Sequence, residues 1–94
     1  MTPNESLQQR KADLNQEIAG FLLNLEEDES IFRQRIVRVH TAASHYREAL
    51  VEAARHVSVE KSEAYLETAS EATKSVSHFI RFLSEFRNEQ HPPV

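Results

Sequence analysis

The chain has 94 residues, enough for one domain near the lower size limit of a single hydrophobic core. It contains no cysteine, one glycine and three prolines, which excludes disulfides and thiolate metal sites and disfavours a turn-rich β fold. The net charge of −4, with a pI of about 5.7, disfavours a protein that binds nucleic acid over most of its surface.

The first predicted helix covers residues 3–26. Thr2, Pro3 and Glu5 have the order of a helix start, with a capping hydroxyl, a proline in the first turn and a carboxylate that closes a capping box. Apolar residues then recur at spacings of seven, four and three, at Leu7, Leu14, Ile18, Phe21 and Leu25. Gly20 interrupts the good helix formers and costs about 1 kcal/mol relative to alanine.

The second predicted helix covers residues 29–57. Four consecutive acidic residues, 26–29, suit a helix N-terminus, where the macrodipole is positive, and Asp28 or Ser30 is the expected cap. Its apolar positions step alternately by four and three, the heptad pattern of a helix that packs lengthwise on another. They are Phe32, Ile36, Val39, Ala43, Tyr46, Leu50, Ala53 and Val57.

The third predicted helix covers residues 61–88, after a turn for which Ser58 and Ser62 are both candidate caps. The same alternation returns at Tyr65, Ala69, Ala72, Val76, Phe79, Leu83 and Phe86. The helix is expected to end before two prolines, which leaves residues 89–94 as a frayed tail.

These patterns predict an all-α, antiparallel up-down-up three-helix bundle in one domain, residues 1–94, with a long hairpin of the second and third helices. A turn near Lys61 would place Ala43 opposite Phe79. On the third helix, Ile80 and Phe82 flank the apolar stripe on opposite sides and widen it to roughly 160° at 100° per residue. Such a face needs two neighbours, the first helix on one side and the second on the other.

The apolar side chains also predict a partner. The end of the bundle near the second turn has small residues and would be poorly filled in a monomer, and several aliphatic residues lie off the main stripes. We therefore expect a second chain, a homodimer that completes a larger bundle, although scattered exposed aliphatics are also normal on a monomer. The candidate partner contacts are Leu23, Val37, Val51, Ile80 and Phe82.

One stripe of possible metal ligands runs along the second helix, at His45, Glu48, Glu52 and His56. Both residue types bind zinc or iron, but metal sites in bundles draw ligands from several helices. The stripe lies about 110° from the apolar positions at 100° per residue, so we expect it to face solvent. The sequence predicts neither a metal site nor a cofactor.

Catalytic patterns are equally weak. His40 and His78 stand alone, the serines lack a nucleophile elbow, and a single glycine rules out a phosphate-binding loop. No apolar run reaches the roughly 18 residues of a membrane span, and the N-terminus lacks a signal-peptide pattern. We expect a soluble, cytoplasmic protein that is not an enzyme and does not bind membranes.

Charge is unevenly distributed along the chain. Residues 30–57 carry five arginines and two glutamates, whereas residues 1–29 carry two basic and seven acidic residues. The first possibility is that the arginines pair with the acidic helices beside them and set their orientation. The second is a grip on a nucleic-acid backbone. The residues concerned are Arg33, Arg35, Arg38 and Arg47.

The sequence thus favours a small non-enzymatic helical-bundle module that binds proteins through its surface, as an adaptor, regulator or inhibitor, and that self-associates. The alternative is a nucleic-acid accessory protein that uses the basic face of the second helix.

Overall fold

The computed structural model describes residues 3–23 and 28–90, and within these ranges the chain forms three α-helices and no strand. The helices are α1 (Pro3–Leu23), α2 (Glu29–Ala54) and α3 (Val59–Gln90). Helix α2 packs against both α1 and α3, so the chain is a three-helix bundle. The predicted all-α fold is confirmed. No helix in the described part of the chain combines the length and hydropathy needed to cross a bilayer.

The turn between α2 and α3 comes earlier than the sequence suggested. Helix α2 ends at Ala54 instead of residue 57, and α3 begins at Val59 and continues to Gln90. The Arg55 N–H bonds back to the carbonyl of Glu52 at 3.1 Å, and the Ser62 N–H donates to the Ser58 carbonyl at 2.8 Å. The third helix therefore starts at the first of the two candidate caps. Thr2, residues 24–26 and residues 91–94 lie outside the described residues.

Asp28 caps the start of α2. Its backbone is extended (φ −61°, ψ 164°), and its Oδ1 accepts from the Ile31 N–H at 3.0 Å. The Phe32 N–H closes the first helical turn on the Asp28 carbonyl at 3.0 Å. Of the two predicted caps, Asp28 is used, because Ser30 already belongs to the helix.

The core follows the two heptad stripes with local exceptions. Its buried side chains are Leu14, Phe21, Phe32, Val39, Ala42, Tyr46, Leu50, Ala69, Val76, Ile80 and Leu83. Val57 and Phe86 belong to the predicted stripes but are exposed, because the first lies in the turn and the second lies near the end of α3. Each stripe is buried or half-buried along most of its length and leaves the core at one end.

Helix α2 is the centre of the bundle. Within the described ranges, no Cα atom of α1 lies within 8 Å of one in α3, and these two helices meet through side chains, as in the Phe21–Phe79 ring pair at 6.2 Å. The radius of gyration is 15.5 Å, against about 12 Å for a compact chain of this length. The surface area is 6830 Å², against about 5,500 Å² for a compact monomer of this mass. The bundle is elongated and exposes a large surface for its size.

Residues of α2 and α3 share grooves along their contact. Ala43 lines one groove together with Val76. The Phe79 ring lies 6.2 Å from that of Phe21 on α1. The predicted opposition of Ala43 and Phe79 stays a prediction.

Candidate interaction surface

Large apolar side chains are exposed at several places on the bundle. Leu23, at the end of α1, exposes 85% of its surface, and Phe82, on the last third of α3, exposes 66%. The other exposed apolar residues are Leu22, Val37, Val57, Val59, Leu66 and Phe86. Because they occupy different sides of the molecule, the site has to be sought among those that share one face.

The five predicted contact residues are not brought together. Val37 lies on the outer face of α2, Val51 is half-buried in a groove between α2 and α3, and Leu23 lies at the C-terminal end of α1. Ile80 is 7% exposed and belongs to the core, so it does not contribute to a free surface. Only Phe82 combines high exposure with aromatic neighbours on its own helix face.

The burial of Ile80 has a simple geometric cause. The most buried residues of α3 are Ala69, Val76, Ile80 and Leu83. At 100° per residue, their average direction lies about 40° from the centre of the predicted stripe, on the side of Ile80. This rotation of α3 carries Ile80 into the core and turns Phe82 toward solvent.

Phe79, Phe82 and Phe86 line one strip of α3, because residues spaced i, i+3 and i+7 fall within about 60° of one another. Phe79 is half-buried against α1, whereas Phe82 and Phe86 are exposed. Leu22, which follows the buried Phe21, is 46% exposed at the neighbouring end of α1. We call Leu22, Phe79, Phe82 and Phe86 the aromatic strip. Leu22 is not among the predicted contact residues, and Phe86 was predicted to lie inside the bundle. The nearness of Phe86 to the end of the third helix was the available signal.

The aromatic strip stands on a tightly packed support. Phe21 is fully buried, and its ring lies 5.3 Å from the ring of Phe32 and 6.2 Å from that of Phe79. The Arg87 guanidinium covers the Phe32 ring at 4.6 Å from its centroid, a cation–π contact. All three helices contribute to this cluster, so the strip is held on a fixed frame instead of a loop.

Two further surfaces lie on the opposite, outer side of the bundle. Val37 lies in a shallow hollow of about 730 Å³ beside Arg33 and Arg38. Val51 and Leu66 line a groove of about 390 Å³ between α2 and α3, with Arg47 and Lys74 also in its wall. Both surfaces mix single aliphatic side chains with charged groups, and neither has an exposed aromatic residue.

The α2 arginines point in different directions. Arg33 pairs with Glu29 on its own helix at 2.9 Å, and Arg35 leans over α1, where its Nη1 is 3.3 Å from the position that a Cβ on Gly20 would occupy. Arg38 lies beside α1 and Arg47 beside α3. Within residues 3–23 and 28–90, the ion pairs join residues three or four apart in the sequence, and none joins two helices. The pairing of Arg33 is therefore local, and the four arginines do not form one basic stripe.

The stripe of histidine and glutamate residues on α2 forms a small exposed network. Glu52 accepts from the His56 ring at 3.0 Å and from Arg55 at 3.2 Å. The hydrogen bond from His56, followed by the charge of Arg55, lowers the pKa of the Glu52 carboxyl below its ordinary value. Among the residues that the structure describes, no group of three histidine, cysteine, aspartate or glutamate side chains is arranged to hold a metal ion.

No protein-family model matches the chain, and no match to it is found among curated proteins or solved structures.

Proposed function

We propose that the chain is a small, non-enzymatic protein-interaction module of the adaptor, regulator or inhibitor type, and that it binds through the aromatic strip. The observation that carries this proposal is the exposure of Phe82 and Phe86 on one face of α3. Complete burial of a phenylalanine side chain is favourable by about 1.5–3 kcal/mol. Two exposed rings on one face leave that free energy to be gained on binding.

The support beneath the strip favours binding. Aromatic side chains are enriched at the centres of protein interfaces and lose little conformational entropy when they are fixed. Here Phe79 packs against Phe21 in a cluster that all three helices share, and Phe82 and Phe86 extend from the same helix as Phe79, which reduces the ordering that binding requires. A cysteine-free chain of this composition suits the reducing cytoplasm, where we place the protein.

The dispersed arginines favour a protein partner over nucleic acid. Binding to a phosphate backbone needs several cations on one surface. Each phosphate contact adds about one unit to the slope of the logarithm of the binding constant against the logarithm of the salt concentration. Arg33 is paired with Glu29, and Arg35 is turned toward α1. Arg38 lies beside α1 and Arg47 beside α3, so the four arginines do not line up as one stripe, which supports the proposal of a protein partner.

Site-specific photo-crosslinking tests the proposal. A benzoylphenylalanine at position 82 should yield covalent protein adducts in extract from cells that make the protein. The same probe at Glu63, an exposed polar position at the other end of α3, is the matched control and should yield few. Equal adduct formation at the two positions, or none at position 82, would reject the strip as a binding surface.

The nucleic-acid alternative has its own readout. If the protein purified at low salt carries nucleic acid, and the triple variant Arg33→Glu, Arg35→Glu, Arg38→Glu loses it while Phe82→Glu retains it, the proposed function is wrong. We expect nucleic-acid-free protein in all three preparations.

A further inference from the structure

Building on the proposed function, we infer that the partner of the aromatic strip is a second copy of this chain, which binds through the same face. The two copies form a two-fold symmetric dimer of six helices, with the open side between α1 and α3 at its centre. Each copy completes the bundle of the other.

The bundle is incompletely closed between α1 and α3. The Cα atoms of these two helices stay more than 8 Å apart within the described ranges, and side chains such as Phe21 and Phe79 meet across the gap. Several core-packing residues of α1 and α3 are only half-buried. They are Leu7, Ile18, Tyr65, Ala72 and Phe79. A third layer of helices over the gap would bury them.

The exposed area of this face favours the same partner. At about 200 Å² for a phenylalanine side chain, the exposed parts of Phe82 (66%) and Phe86 (45%) amount to roughly 220 Å². A stable interface of standard size buries about 800 Å² per partner, and in homodimers about 65% of it is apolar, or roughly 500 Å². Two side chains thus supply nearly half of the apolar area that a homodimer needs, before Leu22 and the half-buried residues of α1 and α3 are added.

Sedimentation equilibrium of the purified full chain tests the inference directly. We expect a mass of twice 10.8 kDa at micromolar concentration and dissociation on dilution. Phe82→Glu should raise the dissociation constant at least about 30-fold, as loss of a central aromatic contact does. Val37→Glu, an equally drastic change on the outer face of α2, is the matched control and should leave the dimer intact.

A second measurement guards against variants that misfold. In the unmodified protein, the side-chain NMR signals of Leu22, Phe82 and Phe86 should shift with protein concentration, while those of Val37 and Val59 should not. A chain that stays at 10.8 kDa at high micromolar concentration overturns the inference, and so do shifts confined to the outer face of α2.

The two proposals fail in different ways. Adducts at position 82 that contain only a different protein would support the interaction module and overturn the second copy as its partner. Absence of any adduct at position 82, with a monomer in sedimentation, would overturn both.

Discussion

The two ends of the bundle differ in how their interiors are filled. At one end, which we call the aromatic end, Phe21, Phe32 and Phe79 from three helices meet around a fully buried ring. At the other, the alanine end, the last turn of α2 buries only Ala53 and Ala54. Buried area per residue is the main source of stability, so the aromatic end holds the fold together. The same end carries the exposed rings of Phe82 and Phe86, so the main source of stability and the proposed binding surface lie together.

Of the substitutions considered, replacement of Phe21 at the aromatic end should lower the free energy of unfolding most. Phe21→Ala removes a fully buried ring and leaves a cavity against Phe32 and Phe79, which costs about 3–5 kcal/mol. A chain of this length is stable by about 5–14 kcal/mol, so urea unfolding should show a much lower midpoint.

Tyr65→Ala gives the matched comparison on the first half of α3. Tyr65 is only half-buried, so its truncation exposes less apolar area than that of Phe21. It should lower the free energy of unfolding by roughly 1–2 kcal/mol. Equal losses for Phe21→Ala and Tyr65→Ala would mean that stability is spread evenly along the bundle.

The cap at the start of α2 should have the next largest effect. Asp28→Ala leaves the Ile31 N–H without its side-chain acceptor and should lower the free energy of unfolding by about 1 kcal/mol. Asp13→Ala removes a carboxylate that accepts a hydrogen bond from Gln9 within α1. It should lower the free energy of unfolding by only about 0.2–0.5 kcal/mol. Thermal denaturation of the two variants separates them, and a neutral Asp28→Ala would contradict the role of the cap.

Gly20→Ala is expected to stabilise the protein. Alanine in a helix interior is favoured over glycine by about 1 kcal/mol, and the new methyl group would meet only the Arg35 Nη1, at 3.3 Å. The guanidinium is the end of a flexible side chain and can move by a few tenths of an ångström. A lower midpoint in urea would show instead that Arg35 is fixed over α1.

The smallest expected effect depends on pH at the α2–α3 turn. The pKa of Glu52 is lowered, first by the hydrogen bond from His56, so its ionised form stabilises the folded state. This contribution is complete above the ordinary glutamate pKa and is lost as pH falls through the lowered folded-state value. Glu52→Gln should remove the corresponding slope from stability measured between about pH 5 and pH 3. An unchanged slope in the variant would assign it to other carboxyl groups.

The fold was predictable because the heptad stripes are long, and each is buried or half-buried along most of its length. The position of the turn was not, because the residues between the second and third helices contain neither glycine nor proline and offer two equivalent serine caps. Ile80 and Phe82 were both expected to flank the stripe, but rotation of α3 by about 40° placed Ile80 in the core and left Phe82 exposed. Such a rotation depends on packing against two neighbours at once, which a pattern within one helix does not contain.

The central position of α2 has a consequence for folding kinetics. Both helix pairs that touch through their backbones, α1 with α2 and α2 with α3, are neighbours along the chain. Chains dominated by such sequence-local pairings fold within microseconds to milliseconds. Either hairpin can therefore nucleate first, with the remaining helix added afterwards, and we expect a single fast refolding phase in stopped-flow or temperature-jump experiments.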